Sequence, residues 1–444
     1  MTSESSNTPD LMDLPAVGRF LRWRHARTVL QLPLLALAAL MIFDGLVGPQ
    51  LAPKNLATVF TWIHYRGLVV LALLVAGNLF CMACPFMLVR TLARRLTGAR
   101  DLTRMWPNRL RRKWLALLLF ATLLFTSELL DLWAAPRWTA CLIVAYFAAA
   151  LVVDTFFRGA TFCKYLCPLG QFNFVASLVS PLEVKVRALG VCRECQTKDC
   201  FKGRRDSQDP SRAAGVPGCQ LWLFQQRKVG NMDCTFCLDC VHACPHANVG
   251  LQPRLPASEL WIDPLRSGIG RFSHRPDLAA LVALFTFGAL LNAFAMVRPV
   301  YVLEEWLAAL LGTQSELLVL ALIYLVGLVI VPLLALASSC WISRRLAHAS
   351  DTSSLLIWTT RYTYALVPRG FGVWLAHYGF HFFTGFWTFV PVVQSFAADV
   401  LGTPLLGVPR WDLGPLFPSA LLMLLEVGFL GLGWFGSLLV AYRL

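Results

Sequence analysis

The chain alternates between long uncharged runs and short stretches crowded with arginine. About 20 apolar residues span the hydrocarbon core of a bilayer. By that measure the clearest membrane-crossing runs cover residues 67–89, 278–297, 317–343 and 370–398. Residues 28–43, 114–130, 138–153 and 413–442 are shorter or carry an acidic residue. The pattern predicts an all-α polytopic membrane protein with about eight transmembrane helices. Between the fourth and fifth runs lies a polar, cysteine-rich insertion. The chain is therefore divided into membrane residues 1–157, insertion 158–276 and membrane residues 277–444.

The basic residues orient these helices. Arg19, Arg22, Arg24 and Arg27 precede the first run. Arg90, Arg94, Arg95, Arg100, Arg104, Arg109, Arg111, Arg112 and Lys113 follow the second, and Arg344, Arg345, Arg361 and Arg369 follow the sixth. Eight spans put all three groups on one side, and short loops rich in Lys and Arg face the cytoplasm. Both termini and the insertion are thus expected on the cytoplasmic side of the cell inner membrane. The opening "MTSESSNTPDLMDLP" lacks the basic-then-apolar order of a cleaved signal.

Composition agrees. Hydrophobic residues make up 57% of the chain and charged ones 14%, where a soluble domain carries about 25% charged residues. The net charge of +14 is accounted for by the cytoplasmic loops, so no nucleic-acid partner is expected. The 14 cysteines fall mostly in closely spaced runs, which suit metal better than disulfides, and reduced thiols fit the cytoplasmic side.

The densest run is "CTFCLDCVHACPHANVGL". Cys234, Cys237, Cys240 and Cys244, followed by Pro245, match the bacterial ferredoxin spacing C-x2-C-x2-C-x3-C-P, whose fourth cysteine ligates the other cluster in two-cluster ferredoxins. A looser set supplies that second site: Cys192, Cys195, Cys200 and Cys219. The crossed assignment gives Cys192, Cys195, Cys200 and Cys244 to one [4Fe–4S] cluster, and Cys234, Cys237, Cys240 and Cys219 to the other. The competing reading is structural zinc, which takes paired cysteines and histidines. His242 and His246 keep it open.

Four more cysteines form a repeat. "NLFCMACPFMLV" and "ATFCKYLCPLGQF" each end a predicted helix pair in Phe-Cys followed by Cys-Pro. Cys81, Cys84, Cys163 and Cys167 therefore form a candidate third redox or metal site at the membrane edge. A disulfide pair, or plain burial of small apolar side chains, is the alternative. Cys141 and Cys340 stand alone and read as packing.

At these residues the chain resembles the NosR/NapH/CcoG-type membrane ferredoxins: "CKYLCPLG", "CRECQTKDC" and "CTFCLDCVHACP" carry the resemblance, over roughly residues 28–250. It implies electron transfer between quinol pools, cytoplasmic or membrane donors, and periplasmic redox systems of respiration or metalloenzyme maturation. The C-x3-C-P motif of that family falls on Cys163, Cys167 and Pro168, whereas the first copy here reads C-x2-C-P. The extracytoplasmic flavin domain and the C-terminal soluble domain of some members are not expected here. Instead, four further helices follow residue 278.

In the seventh run, His377 and His381 are one turn apart and share a helix face, amid Trp374, Tyr378, Phe382 and Phe386. Glu426 lies in the middle of the eighth run. Ionisable residues within a span are functional candidates. Quinone, haem b or another metal, and histidines simply satisfied by neighbouring helices are three open readings. Glu426 is expected to be protonated or to pair with a neighbour such as one of these histidines. His64 reads as lying outside the second span, and Glu128 and Asp131 as interfacial.

Together these features predict a membrane iron–sulfur electron-transfer protein, an oxidoreductase subunit of a larger complex. Its expected partners are the lipid bilayer, the quinone pool, and other redox subunits acting as cytoplasmic donor or periplasmic acceptor. The alternative is a membrane reductase or maturation factor that supplies electrons for delivery of a metal such as copper. No dinucleotide fingerprint or P-loop is present, so oxidation of NAD(P)H would need a partner.

Overall fold

A computed structural model describes residues 9–96, 104–204, 215–346 and 354–444. Arg100 and the first eight residues of the N-terminal segment lie outside the described residues. The structure is 69% helix and 3% strand. Among the described residues, six helices are long and apolar enough to cross a membrane: Ala26–Val47, Leu56–Ala76, Pro136–Phe156, Pro276–Phe294, Glu316–Leu346 and Ser419–Arg443. The protein is a multi-pass helical membrane protein.

Three of the eight expected spans differ from their sequence pattern. Trp114–Leu129 is a helix of 16 residues, short of a full crossing at 1.5 Å per residue. The run 67–89 is not one helix. Its helix starts earlier, at Leu56, and ends at Ala76. Gly77 then adopts φ +66°, and Leu79–Ala83 and Pro85–Leu96 follow as separate helices. Left-handed backbone at Gly77 carries no Cβ penalty, and Pro85 forces Cys84 into extended geometry. The run 370–398 breaks likewise. Val367–Thr384 stops at Gly385, and Phe389–Leu401 resumes after a short turn. At Gly385 a Cβ would come within 2.9 Å of Ile63, so only glycine lets the chain pass.

Two compact units emerge. The first comprises Met1–Ala36, Ala72–Arg112 and Tyr146–Phe272. It holds the insertion and the cysteine motifs. Its only described strand pair is antiparallel, β1 (Leu182–Val186) with β2 (Val249–Pro253), in register from Leu182↔Pro253 to Val186↔Val249. The pair ties together the segments that carry the two cysteine runs. Met12, Val184, Leu221, Leu223, Phe236, Leu238 and Leu251 bury beside it as a common core.

The second unit comprises Leu37–Leu71, Lys113–Ala145 and Ser273–Leu444. Val367–Thr384 and Ser419–Arg443 pack closely there because glycines meet. A Cβ on Gly372 would lie 2.7 Å from the Phe429 carbonyl oxygen, and one on Gly433 would lie 2.8 Å from that of Pro368. Small residues that allow such backbone approach are the usual basis of helix association in lipid, where the hydrophobic effect does not drive it. Trp374, fully buried, donates its indole N–H to the Phe285 carbonyl at 2.8 Å.

Candidate functional site

The ferredoxin-type run folds as a tight winding. Asp233, Phe236 and Leu238 all have positive φ, and alternation with right-handed residues turns successive amides toward one side. Phe236 and Leu238 are buried in the core, which anchors the winding while Cys234, Cys237 and Cys240 project from it. The short helix Asp239–Ala243 then carries the chain to Cys244, held extended before Pro245.

Cys244 lies beside the cysteines of the first run. Asn248 donates from Nδ2 to Cys192 Sγ at 3.2 Å, and its backbone amide donates to Cys244 Sγ at 3.3 Å. A small cavity is lined by Cys192, Cys195, Cys200 and Cys244, with His246 and Asn248 at its wall. Burial pushes the Cys200 thiol up to about 12, and Cys244, Cys192 and Cys195 push it the same way. Cys219 also acts on Cys200 from the neighbouring set. Burial holds the Cys240 thiol well above its usual range, reinforced by Cys219, Cys237 and Cys234. Cys219 Sγ accepts the Leu223 amide at 3.4 Å. Its own amide donates to the Cys200 carbonyl at 3.0 Å, so the two sets are joined through the backbone.

Cations lie beside the second set. Arg27 pairs with Asp239 at 3.0 Å and opposes the rise of the Cys237 thiol, which burial and Asp239 drive upward. Lys228 acts in the same sense at Cys234 and Cys240. It donates to the Val184 carbonyl at 2.7 Å and faces Glu183 at 3.5 Å. His242 is kept low mainly by burial. Among the described residues, no three His, Cys, Asp or Glu side chains are disposed to hold a single metal ion.

The repeated cysteines also lie within the first unit. Cys84 and Cys167 each immediately precede a proline that opens a helix, Pro85–Leu96 and Pro168–Ala176. Cys167 Sγ accepts the Gly170 amide at 3.2 Å, and Cys81 Sγ accepts Asn173 Nδ2 at 3.2 Å. Cys141 is exposed and Cys340 is buried in its helix.

In the second unit the structure rearranges the expected polar groups. His64 does not precede the second span. It lies inside Leu56–Ala76, buried among Phe60, Phe382 and Phe389, with Nε2 3.3 Å from Thr388 Oγ1. His377 and His381 stand edge to face with centroids 5.0 Å apart, and His381 Nε2 lies 3.2 Å from Met296 Sδ. The charged side chain that faces both is Arg66, which sequence reasoning passed over at the margin of an apolar run. Its guanidinium sits 4.0 Å from the Trp62 ring centroid and 4.9 Å from that of Tyr378. Glu128 is not merely interfacial. It accepts Asn292 Nδ2 at 3.1 Å and faces Arg66, whereas Asp131 is exposed at a positive-φ turn. Glu426 Oε1 has no hydrogen-bond partner among the described residues.

Comparison with known proteins gives one limited likeness. The chain is 36% identical over 98 residues to the Escherichia coli (strain K12) protein described as "Putative electron transport protein YccM". The match covers 22% of this chain and 23% of that protein, so the chain spans about a quarter of the length of the curated relative it matches. No family model and no solved structure matches.

Proposed function

We propose that this protein carries electrons at a membrane, with Cys192, Cys195, Cys200 and Cys244 holding one [4Fe–4S] cluster and Cys219, Cys234, Cys237 and Cys240 a second. Bound at these thiolates, the clusters supply one-electron redox chemistry. One observation carries the reading: the fourth cysteine of the ferredoxin run shares its hydrogen-bonding partner, Asn248, with the first cysteine of the other run. A cubane spreads its four thiolates over four irons, so its cysteines need not crowd together as those of one ion must. The likeness to a chain whose printed name is an electron transport protein points the same way.

The chain's own residues prepare these sites. Asn248 and the Leu223 amide donate to sulfur, and hydrogen bonds to the ligating sulfurs tune cluster potential. Arg27 and Lys228 favour the thiolate form at the second set.

The membrane partner in this reading is a quinone, taken in the second unit by His377, His381 and Arg66 within the aromatic walls of Trp62 and Tyr378. Arg66 is the charged member of this site. The insertion and both termini face the cytoplasm of the inner membrane, and further redox subunits supply donor and acceptor. The test is to purify the intact chain anaerobically and measure iron, acid-labile sulfide and EPR spectra. About eight irons or more per chain, with reducible [4Fe–4S] signals, are expected. Zinc in place of iron would refute the reading.

A further inference from the structure

We infer that Cys81, Cys84, Cys163 and Cys167 hold a third iron–sulfur centre, distinct from the two ferredoxin-type sets and tied to the Cys234 set by Asn78.

The repeated sequence supplies two cysteines from each copy, and the fold brings the copies together. Phe162 and Cys167 are buried in one apolar cluster against Cys163 and Phe86, the residue that follows Cys84-Pro85. The thiols of the two copies also lie within electrostatic reach of one another: Cys81 and Cys84 act on Cys167, and Cys84 acts on Cys163.

The two copies present sulfur in the same local frame. Cys84 and Cys167 each sit in extended backbone just before a proline-initiated helix. Amides of the first helical turn face each sulfur: Phe86 and Met87 for Cys84, Leu169 and Gly170 for Cys167. A helix N-terminus favours the thiolate, the form that binds iron.

The surroundings fit a charged sulfur ligand rather than four inert thiols. Asn173 Nδ2 donates to Cys81 Sγ at 3.2 Å. Arg90, itself 3% exposed and paired with Asp154 at 3.4 Å, places positive charge beside Cys84 and Cys163. The Tyr146 hydroxyl is buried without a hydrogen-bond partner among the described residues and faces Cys167. Arg90 and Asn173 have partners here, whereas apolar packing of the cysteines leaves the Tyr146 hydroxyl unexplained, and buried polar groups are normally placed to meet a partner.

Asn78, fully buried, joins this quartet to the ferredoxin-type run. It donates from Nδ2 to the Cys234 carbonyl at 2.8 Å and also contacts the Cys81 thiol. The identity of its neighbour as a cluster ligand rests on the proposed function; the four-thiol site does not.

The test uses the full-length protein purified anaerobically in detergent. The wild type should contain two to four irons per chain beyond the roughly eight of two [4Fe–4S] clusters, together with a third spectroscopic species. Cys84→Ser and Cys163→Ser should each remove that excess and that species while sparing the other two signals. Cys240→Ser should spare the third species. Asn78→Ala should keep all the iron but change the magnetic interaction between the third centre and its neighbour. About eight irons in the wild type, or iron content unchanged by Cys84→Ser, would overturn the third site. Should the variants fail to fold, the wild-type iron count and Mössbauer spectrum alone decide it. Iron lost on Cys84→Ser in a protein whose ferredoxin run binds zinc would refute the proposed function and leave this inference standing.

Discussion

The two compact units solve the burial of polar groups in opposite ways. In the first, polar side chains are aimed at sulfur. Asn248 donates to Cys192, and the buried Lys228 lies beside Cys234 and Cys240. In the second, polar groups are aimed at rings and at one another. Arg66 lies over Trp62 and Tyr378, His377 stands against His381, and Asn292 donates to Glu128. The contrast teaches where specificity is stored. The cysteines fall in closely spaced runs along the chain, while the polar groups of the second unit come together from helices far apart in sequence.

The sharpest way to break the first unit is to remove one of its buried cations, Lys228. Lys228→Met would leave Glu183 buried beside a lost partner, and breaking a buried pair costs about 3–5 kcal/mol. Chemical denaturation followed by tryptophan fluorescence should report a loss of that order. A pH dependence follows from the same pair. Burial works to raise Glu183, yet Lys228, Arg254 and the Gly230 amide hold it below its ordinary 4.5. A carboxylate lowered in the folded state contributes its stability above the unfolded value, and that contribution disappears as pH falls through the folded one. Stability of the wild type should therefore fall below about pH 4.5, and Glu183→Gln should flatten that limb of the curve.

The second unit is best broken at its glycine seam. Gly433→Leu places side-chain atoms against the Pro368 carbonyl, and overpacking of this kind costs about 1–3 kcal/mol. Thermal unfolding in detergent should show it, with the iron content of the first unit retained.

Arg66→Leu separates the two regions functionally. Loss of its ring contacts costs about 0.5–2 kcal/mol, but reduction of the clusters by an added quinol should fall far more than that stability change implies. Arg66→Lys should not restore it, because a compact ammonium cannot stack on two rings as a planar guanidinium does. Undiminished quinol-driven reduction in both variants would remove quinone from the second unit.

The smallest effect is expected at Asn248→Ala. One hydrogen bond is worth about 1 kcal/mol, so folding should survive. Loss of a donor to sulfur should lower the reduction potential of the Cys192 cluster, and an EPR-monitored redox titration measures the shift.

How far the sequence was legible follows the same division. Cys234, Cys237, Cys240 and Cys244 could be read as one motif because their spacing is legible along the chain, and the placement of Cys244 beside Cys192, Cys195 and Cys200 is what the fold adds. Asn248, Asn173 and Asn78 could not be read, since an asparagine carries no periodic or spacing signal until the fold puts it against a sulfur. The helices were visible as apolar runs, but their breaks depended on single residues: Gly77 with Pro85, and Gly385. Arg66 was missed because hydropathy ends a span at the first charge, whereas the Leu56–Ala76 helix carries that charge inside. Its signal was the apolar stretch "VFTWI" immediately before "HYRGLVV".

The central claim is the crossed pair of clusters, and one comparison tests it most directly: EPR spectra of reduced Cys244→Ser beside those of Cys200→Ser and Cys240→Ser. The crossed arrangement predicts that Cys244→Ser alters the same signal as Cys200→Ser and leaves the Cys240-dependent signal intact. If Cys244→Ser instead alters the Cys240-dependent signal, each run binds its own metal and the crossed assignment is wrong.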